Sequence, residues 1–364
     1  MITVAYIGFG VSVREYHIPY VENRSDIKVK YVYRREEDIP AFAEYEPFYP
    51  EIIFTTDLQQ VLTDPEVNLV VVNTPDRFHV PYAKQILNAG KHALIENPFA
   101  TNSADAAEVF ALAKEKGLWI AGAPDTYMGA GIQTCRKLID EGTIGDVVGA
   151  TAFMTCHGHE SWHPDPEFYY KHGGGPMLDM GPYYVTALIN LVGGVKRVGG
   201  MVSKPFAKRV CTCKEHNGEV ITVDVPTSYY GVMEFESGAV GSILTSFDIY
   251  GAKLPIIEIY GSKGTLRVPD PNCFDGEVKV LQHFDREFKS WPLQTPDSVN
   301  SRGIGLTDMA DAILNGRTTH RACGEMALHV LEMMEKFHTS SNEGRTLTLE
   351  SDCRQPEKMP LIAP

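Results

Sequence analysis

Two periodicities alternate along the first 125 residues. Short apolar runs, "ITVAYIG" (2–8), "NLVVVNT" (68–74), "HALIE" (92–96) and "LWIAGA" (118–123), read as buried strands, and "IKVKYVY" (27–33) alternates at period two. Between them lie "VREYHIPYVEN" (13–23), "VPYAKQILNAG" (80–90) and "TNSADAAEVFALAKEKG" (101–117), which have helical spacing. The last two end in glycine, a good helix stop. Strand and helix joined by short connections predict a parallel sheet with helices on both faces.

Beyond residue 124 the pattern changes. "VGATAFMTC" (148–156), "SYYGVMEFES" (228–237), "AVGSILTSFDI" (239–249), "PIIEIYGSKGTLRVPD" (255–270) and "VKVLQHF" (278–284) are strand-like and joined by turns. They predict a largely antiparallel sheet with one packed and one open face. "GEMALHVLEMMEKFH" (324–338) predicts a late helix whose Met and Leu stripe is core. The fold class expected is therefore α/β plus α+β, with a Rossmann-type domain over 1–123 and an α+β domain over 124–364. A chain of 364 residues fits two cores better than one.

Composition narrows the partners. A formal net charge of −14 argues against nucleic acid and against an anionic membrane surface. No run approaches the ~20 apolar residues of a membrane span, and the N-terminus reads as a strand rather than a secretory leader. The seven cysteines are scattered, and Cys211-x-Cys213 has no second pair to complete a zinc site. Reduced thiols in a cytoplasmic protein are the expectation.

The first strand runs into "GFGVSV". Gly8, Phe9, Gly10 and Val11 form a turn tight enough for backbone to approach a pyrophosphate. Val13 stands where the dinucleotide fingerprint has its third glycine, which should loosen helix–strand packing or shift the helix slightly. About 20 residues on, an NAD site would carry an acid for the ribose hydroxyl. Here Arg34 and Arg35 follow Tyr33, so NADP is favoured through its 2′-phosphate, with NAD still possible.

Two further segments make a family pattern. "NTPDRFH" ends a strand in Thr74-Pro75 and places His79 at the next helix, and "ENPFA" ends a strand in Glu96-Asn97-Pro98. With "GTIGDVVGATAF" (142–153), "GGGPMLDMGPYYVTALINLVG" (173–193), "IEIYGSKGTLRV" (257–268) and "RGIGLTDMADAI" (302–313), the chain resembles the Gfo/Idh/MocA oxidoreductases, relatives of glucose–fructose oxidoreductase and inositol dehydrogenase. The resemblance implies hydride transfer between a nicotinamide cofactor and a sugar or polyol. It also implies a homodimer or homotetramer through the open sheet face, and cofactor contacts from Thr74, Pro75, His79, Glu96 and Asn97.

In "GGGPMLDMGPYY", Asp179 and Tyr183 are four apart and should share one helical face. The resemblance aims that face at the nicotinamide, with Tyr183 taking the proton of a substrate hydroxyl and Asp179 orienting it. In "CHGHESWHPDPEFYYKHGGG", His157, His159, Trp162, His163 and Tyr169 suit a hydroxyl-rich ligand by hydrogen bonding and stacking. His157 and His159 are expected on one strand face. No metal is expected there, because the spacing matches no ligand set. Asp125, just past the last parallel strand, is a further substrate candidate.

Asn97 stands where the family has the lysine of Glu-Lys-Pro, which in the family binds the reacting hydroxyl and helps lower the pKa of the base. A phenol near ~10 needs about 4 kcal/mol of differential stabilisation to work as a base at neutrality. An amide carries no charge to supply it. Three readings stay open: another cation such as Lys171 or a protonated His163, a slow lysine-lacking enzyme, or a cofactor-binding sensor without turnover.

Overall fold

β1 (Ile2–Ile7) is buried at all six positions, as befits a strand packed on both faces. It lies in a six-stranded parallel sheet with β2 (Ile27–Tyr33), β3 (Ile53–Thr55), β4 (Leu69–Val72), β5 (His92–Ile95) and β6 (Ile120–Gly122), in the order β3-β2-β1-β4-β5-β6. Helices α1 (Ile18–Val21), α2 (Leu58–Thr63), α3 (His79–Asn88) and α4 (Ser103–Glu115) connect the strands. The Asp57 carboxylate accepts from Gln59 N at the start of α2, and the Asn102 amide oxygen from Asp105 N at the start of α4. Both satisfy N–H groups that a helix start leaves orphaned. These facts come from a computed structural model that describes residues 1–41, 43 and 45–360.

The chain divides into two compact units, Met1–Asp125 with Asn300–Leu328, and Thr126–Val299 with His329–Pro364. The second holds α5 (Ala130–Asp140), α6 (Pro176–Asp179), α7 (Gly181–Val192) and a nine-stranded sheet. Its strands are β7 (Val147–Thr155), β8 (Val195–Ser203), β11 (Ser228–Phe235), β12 (Val240–Ser246), β13 (Ile257–Gly261), β14 (Gly264–Val268), β15 (Val278–Gln282), β16 (Lys289–Trp291) and β17 (Leu347–Thr348). The order is β16-β15-β14-β13-β7-β12-β11-β8-β17. Only β7 and β12 run parallel; every other pair is antiparallel. A separate two-stranded ribbon pairs β9 (Lys208–Val210) with β10 (Val220–Thr222). One face of the large sheet carries an apolar groove of about 750 Å³ lined by Phe153, Met201, Tyr230, Val232, Ile243 and Leu254. Among the described residues no helix is long and apolar enough to cross a membrane.

The segment 300–328 was expected in the second domain, but it packs with the first unit. The reason is apolar: Leu306, Met309 and Ala310 of α8 (Ile304–Leu314), with Ala322, join the core beneath β1 and β4. The late helix α9 runs Gly324–Glu343, five residues past its expected end. Val13 is fully buried, and the helix after the glycine turn starts as a π-turn, Val13–His17. That wider coil is where the chain departs from the three-glycine pattern.

Candidate functional site

The strand order reverses between β1 and β4, whose neighbours β2 and β5 extend the sheet in opposite directions. Ligands of open parallel sheets bind outside the carboxyl ends of strands at such a point. Gly8 follows β1 there with φ of 100°. A Cβ on it would lie 2.0 Å from the Asn73 carbonyl oxygen, so only glycine lets the turn meet the end of β4. The Asn73 amide donates to Ser12 Oγ at 2.8 Å and ties the two strand ends together.

A cavity of about 410 Å³ opens at this point, and Gly8, Phe9, Gly10, Val11, Arg34, Arg35, Thr74 and Pro75 all line it. Ile7, Arg14, Tyr33, Asp38, Asn73, Phe78 and Tyr82 complete the wall. Arg34 is buried, with its guanidinium 4.7 Å over the Phe9 ring and donating to Phe9 O at 3.1 Å. Burial pulls it down to about 9, which leaves it charged at neutral pH. Arg35 is more exposed and pairs with Glu37 and Asp38. Arg14 lies 4.1 Å over the Tyr45 ring. A glycine-walled cradle with three guanidiniums at its rim fits a phosphate-bearing dinucleotide.

The remaining cofactor candidates do not line this cavity. His79 is buried, with Nδ1 and Nε2 each 2.7 Å from a carbonyl oxygen, of Pro98 and Thr74 respectively. It therefore bridges the Thr74-Pro75 turn to the Asn97-Pro98 turn, whose peptide bond is cis. Glu96 Oε1 lies 2.9 Å from Nε2 of the buried His17. Burial alone would lower His17, but Glu96 reverses this and raises it; burial would raise Glu96, but His17 holds it down. Asp125, expected to face substrate, is buried and accepts from Gly303 N at 2.9 Å and Gly305 N at 3.0 Å. The carboxylate thus caps α8, a demand that sequence spacing across 178 residues could not reveal.

In the second unit the expected single helix is broken at Met180 into α6 and α7. Pro182 has no N–H to continue the ladder. Asp179 ends α6 and Tyr183 lies in the first turn of α7. His157 and His159 are not on a strand face, since β7 stops at Thr155. His157 stacks on Tyr250 with ring centroids 3.4 Å apart. His159 turns to Asp179, Nε2 to Oδ2 3.5 Å, and packs against Tyr169 at 4.0 Å, Phe247 at 4.7 Å and Trp162 at 5.2 Å. His163 packs edge-on to Tyr169 at 5.2 Å, and its Nδ1 accepts from Asp165 N.

The loop rests on a buried ionic network. Glu160 accepts from Tyr170 and from Arg209 at 3.1 Å, while Arg209 also pairs with Asp248. Thr227 and Ser228 donate to Asp248 Oδ2, each at 2.7 Å. Lys171, one of the cations considered as a substitute, is held by Asp224 at 3.1 Å and Glu167 at 3.5 Å. Among the described residues no group of three or more His, Cys, Asp or Glu is placed to hold a metal ion.

Several members of the first-unit cavity were not singled out from the sequence. Arg14, Asn73, Phe78 and Tyr82 reach the cavity from the helix after the glycine turn, the end of β4 and the start of α3. Of these, Asn73 could have been read from its place before Thr74-Pro75.

Residues 2–121 match the oxidoreductase family with NAD-binding Rossmann fold, and residues 132–267 match the GFO/IDH/MocA C-terminal domain. The oxidoreductase YhhX of Escherichia coli (strain K12) is 44% identical over 149 residues, 41% of this chain and 42% of that protein. The chain spans 42–54% of the length of the first three curated relatives it matches. The scyllo-inositol 2-dehydrogenase (NADP(+)) IolW of Bacillus subtilis (strain 168) is 23% identical over 370 residues, 96% of both chains. The solved structure of levoglucosan dehydrogenase in complex with NADH and L-sorbose superposes with a TM-score of 0.79 at 20% identity, over 96% of this chain and 99% of that one. At that identity the likeness is one of fold.

Proposed function

The chain belongs to the Gfo/Idh/MocA family of oxidoreductases, and from that premise we propose that it transfers hydride between NADP and a hydroxyl or keto carbon of a sugar or polyol. The observation that carries the cofactor half is the cavity shared by the glycine turn, Arg14, Arg34 and Arg35. Guanidiniums at the end of β2 favour a 2′-phosphate over a free ribose hydroxyl. The carbohydrate half is supported by the rings around Asp179 and by relatives named for scyllo-inositol and levoglucosan. We read the first unit as the dinucleotide domain and the second as the substrate and oligomerisation domain.

When bound, the nicotinamide supplies a two-electron acceptor for hydride. The chain's part is to orient the hydroxyl and to move its proton, and Asn97, Asp179 and Tyr183 are the candidates that the family pattern names. Binding of NADPH and NADH, followed by nicotinamide absorbance against scyllo-inositol, levoglucosan, L-sorbose, D-glucose and D-xylose, tests the reading. NADPH should bind more tightly, at least one compound should turn over, and Asn97→Lys should raise the rate. Tight NADPH binding with no turnover on the panel would favour the second reading, a cofactor-binding sensor, for which Asn97 is the supporting feature.

We further propose that a second copy of the chain, in a dimer or tetramer, covers the apolar groove of the large sheet. Met201 is 77% exposed and Tyr230 55%, and side chains of that size left in water favour an apolar partner. Light scattering of the native protein and of Tyr230→Glu checks this; a monomeric native protein overturns it.

A further inference from the structure

Three guanidiniums reach the cavity of the first unit, and they are not equivalent. Arg35 is engaged, with Glu37 at 2.6 Å and Asp38 at 3.1 Å. Arg34 is only 6% exposed and donates to Phe9 O at 3.1 Å. Arg14 is half-buried. Its guanidinium donates to Phe9 O at a long 3.4 Å and pairs with no carboxylate among the described residues. A guanidinium carries five N–H donors in a fork that matches a phosphate, so most donors of Arg14 are left for a ligand.

The place of Arg14 is fixed from two sides. Its N–H donates to Gly10 O at 3.2 Å, and its carbonyl accepts from Tyr49 Oη at 3.2 Å. The guanidinium lies 4.1 Å over the Tyr45 ring. Tyr45 and Tyr49 belong to the connection between β2 and β3, so the side chain is drawn from the glycine turn toward the β2 side of the cavity. In a sheet of this kind a pyrophosphate sits at the helix start, and the adenosine ribose sits at the end of the second strand. Arg14 and Arg34 also converge on one ring, 5.8 and 4.7 Å from the centroid of Phe9. Like charges so placed repel. Burial is first in pulling Arg34 down; Asp38 opposes it and the charge of Arg14 adds to it. A doubly charged anion beside them would offset that repulsion.

We propose that Arg14, positioned by the Tyr45 ring, binds the 2′-phosphate of NADP and so selects it over NAD, with Arg34 adding its charge and Arg35 tied to its own carboxylates. This rests on the cofactor reading above. It places the selecting contact on the helix after the glycine turn, not on the exposed arginine that follows β2.

Titration calorimetry with NADPH and NADH, and with adenosine 2′,5′-bisphosphate and adenosine 5′-monophosphate, tests it without turnover. Arg14→Met keeps the stem on the Tyr45 ring and removes the charge. NADPH and the bisphosphate should bind about 10- to 100-fold more weakly, and NADH and the monophosphate within about threefold of native. Arg14→Lys keeps a charge without the fork and should fall between. Tyr45→Leu should weaken NADPH by about threefold to tenfold and leave NADH unmoved, whereas Tyr45→Phe keeps the ring face and should bind as the native protein does. A purely structural role of Tyr45 would move both cofactors together. Thermal melting identifies which variants are folded, and Met and Lys give two independent chances. A folded Arg14→Met that loses NADPH and NADH alike assigns Arg14 to the pyrophosphate and overturns the proposal. NADPH binding within about threefold of native overturns it too. Either result leaves the oxidoreductase reading intact. If the native protein prefers NADH, or binds none of the four, the NADP reading falls and this proposal falls with it.

Discussion

The cavity of the first unit is centred on a glycine turn set against the end of a neighbouring strand, whereas the cluster of the second is built from side chains of separate loops. At the glycine turn, main chain meets main chain: Gly8 abuts the Asn73 carbonyl and donates its own N–H to Tyr33 O at 3.0 Å. Around Asp179, the packing surfaces are the rings of His159, Trp162, Tyr169 and Phe247 over a buried ionic network. The contrast suits the two tasks proposed for the units. A dinucleotide offers the same pyrophosphate to every chain that binds it, so a fixed backbone shape serves. A carbohydrate differs from its competitors by hydroxyl positions, which only side chains can tell apart.

If the comparison is right, the two units should break in different ways. The largest effect is expected in the network under the second site. Arg209→Met leaves Glu160 and Asp248 buried without their shared cation and should cost about 3–5 kcal/mol. Denaturant unfolding should show that loss, and cofactor should not restore it. Next, Gly8→Ala forces a left-handed residue against the Asn73 carbonyl and should cost about 2–4 kcal/mol. Its signature is loss of NADPH binding, with the second unit's near-ultraviolet circular dichroism kept. A cavity that tolerated alanine there would not depend on the approach of Gly8 to the Asn73 carbonyl. Third, Arg34→Ala should weaken NADPH by about 1.5–3 kcal/mol and NADH far less. Equal losses for both cofactors in titration calorimetry would remove the 2′-phosphate assignment.

The smallest effect concerns pH. His17 is raised above its ordinary 6.5: burial would lower it, but Glu96 beside it prevails, aided by Asp125 and opposed by Arg302. A raised imidazole contributes fully below pH 6.5 and loses its contribution as pH climbs through its folded value. Glu96 is held below its ordinary 4.5, so its share is lost only in acid. The melting temperature of the first unit should therefore drift down as pH rises above neutrality, and His17→Gln should flatten that drift. A drift unchanged in the variant would show that the pair does not govern it.

Much of the first site was legible because its signals are local. Gly8, Gly10, Arg34, Thr74 and Pro75 each follow a strand whose period can be read from neighbouring residues. The hairpin of β13 and β14 was equally plain in "IEIYGSKGTLRV". Strand β8 was not among the strand-like runs, because Gly199 and Gly200 interrupt it. Gly200 is there to admit Phe337 of α9, whose backbone and ring would lie 2.9–3.3 Å from a Cβ at that position. Likewise Asp125 read as a free acid until Gly303 and Gly305 supplied the N–H groups it caps.

The amino-acid order by itself determined the alternation of strand and helix, the glycine turn with its arginines, and the change to a strand-rich pattern beyond residue 124. Periodicity records which residues share a face within a few positions, and turns record where φ must be unusual. Which faces then meet was decided by the tertiary structure alone. The return of 300–328 to the first unit, the pairing of His17 with Glu96 and the approach of His159 to Asp179 join residues 20 or more apart. Such contacts form only when loop closure is offset by burial, and that balance is a property of the whole packed core rather than of any segment.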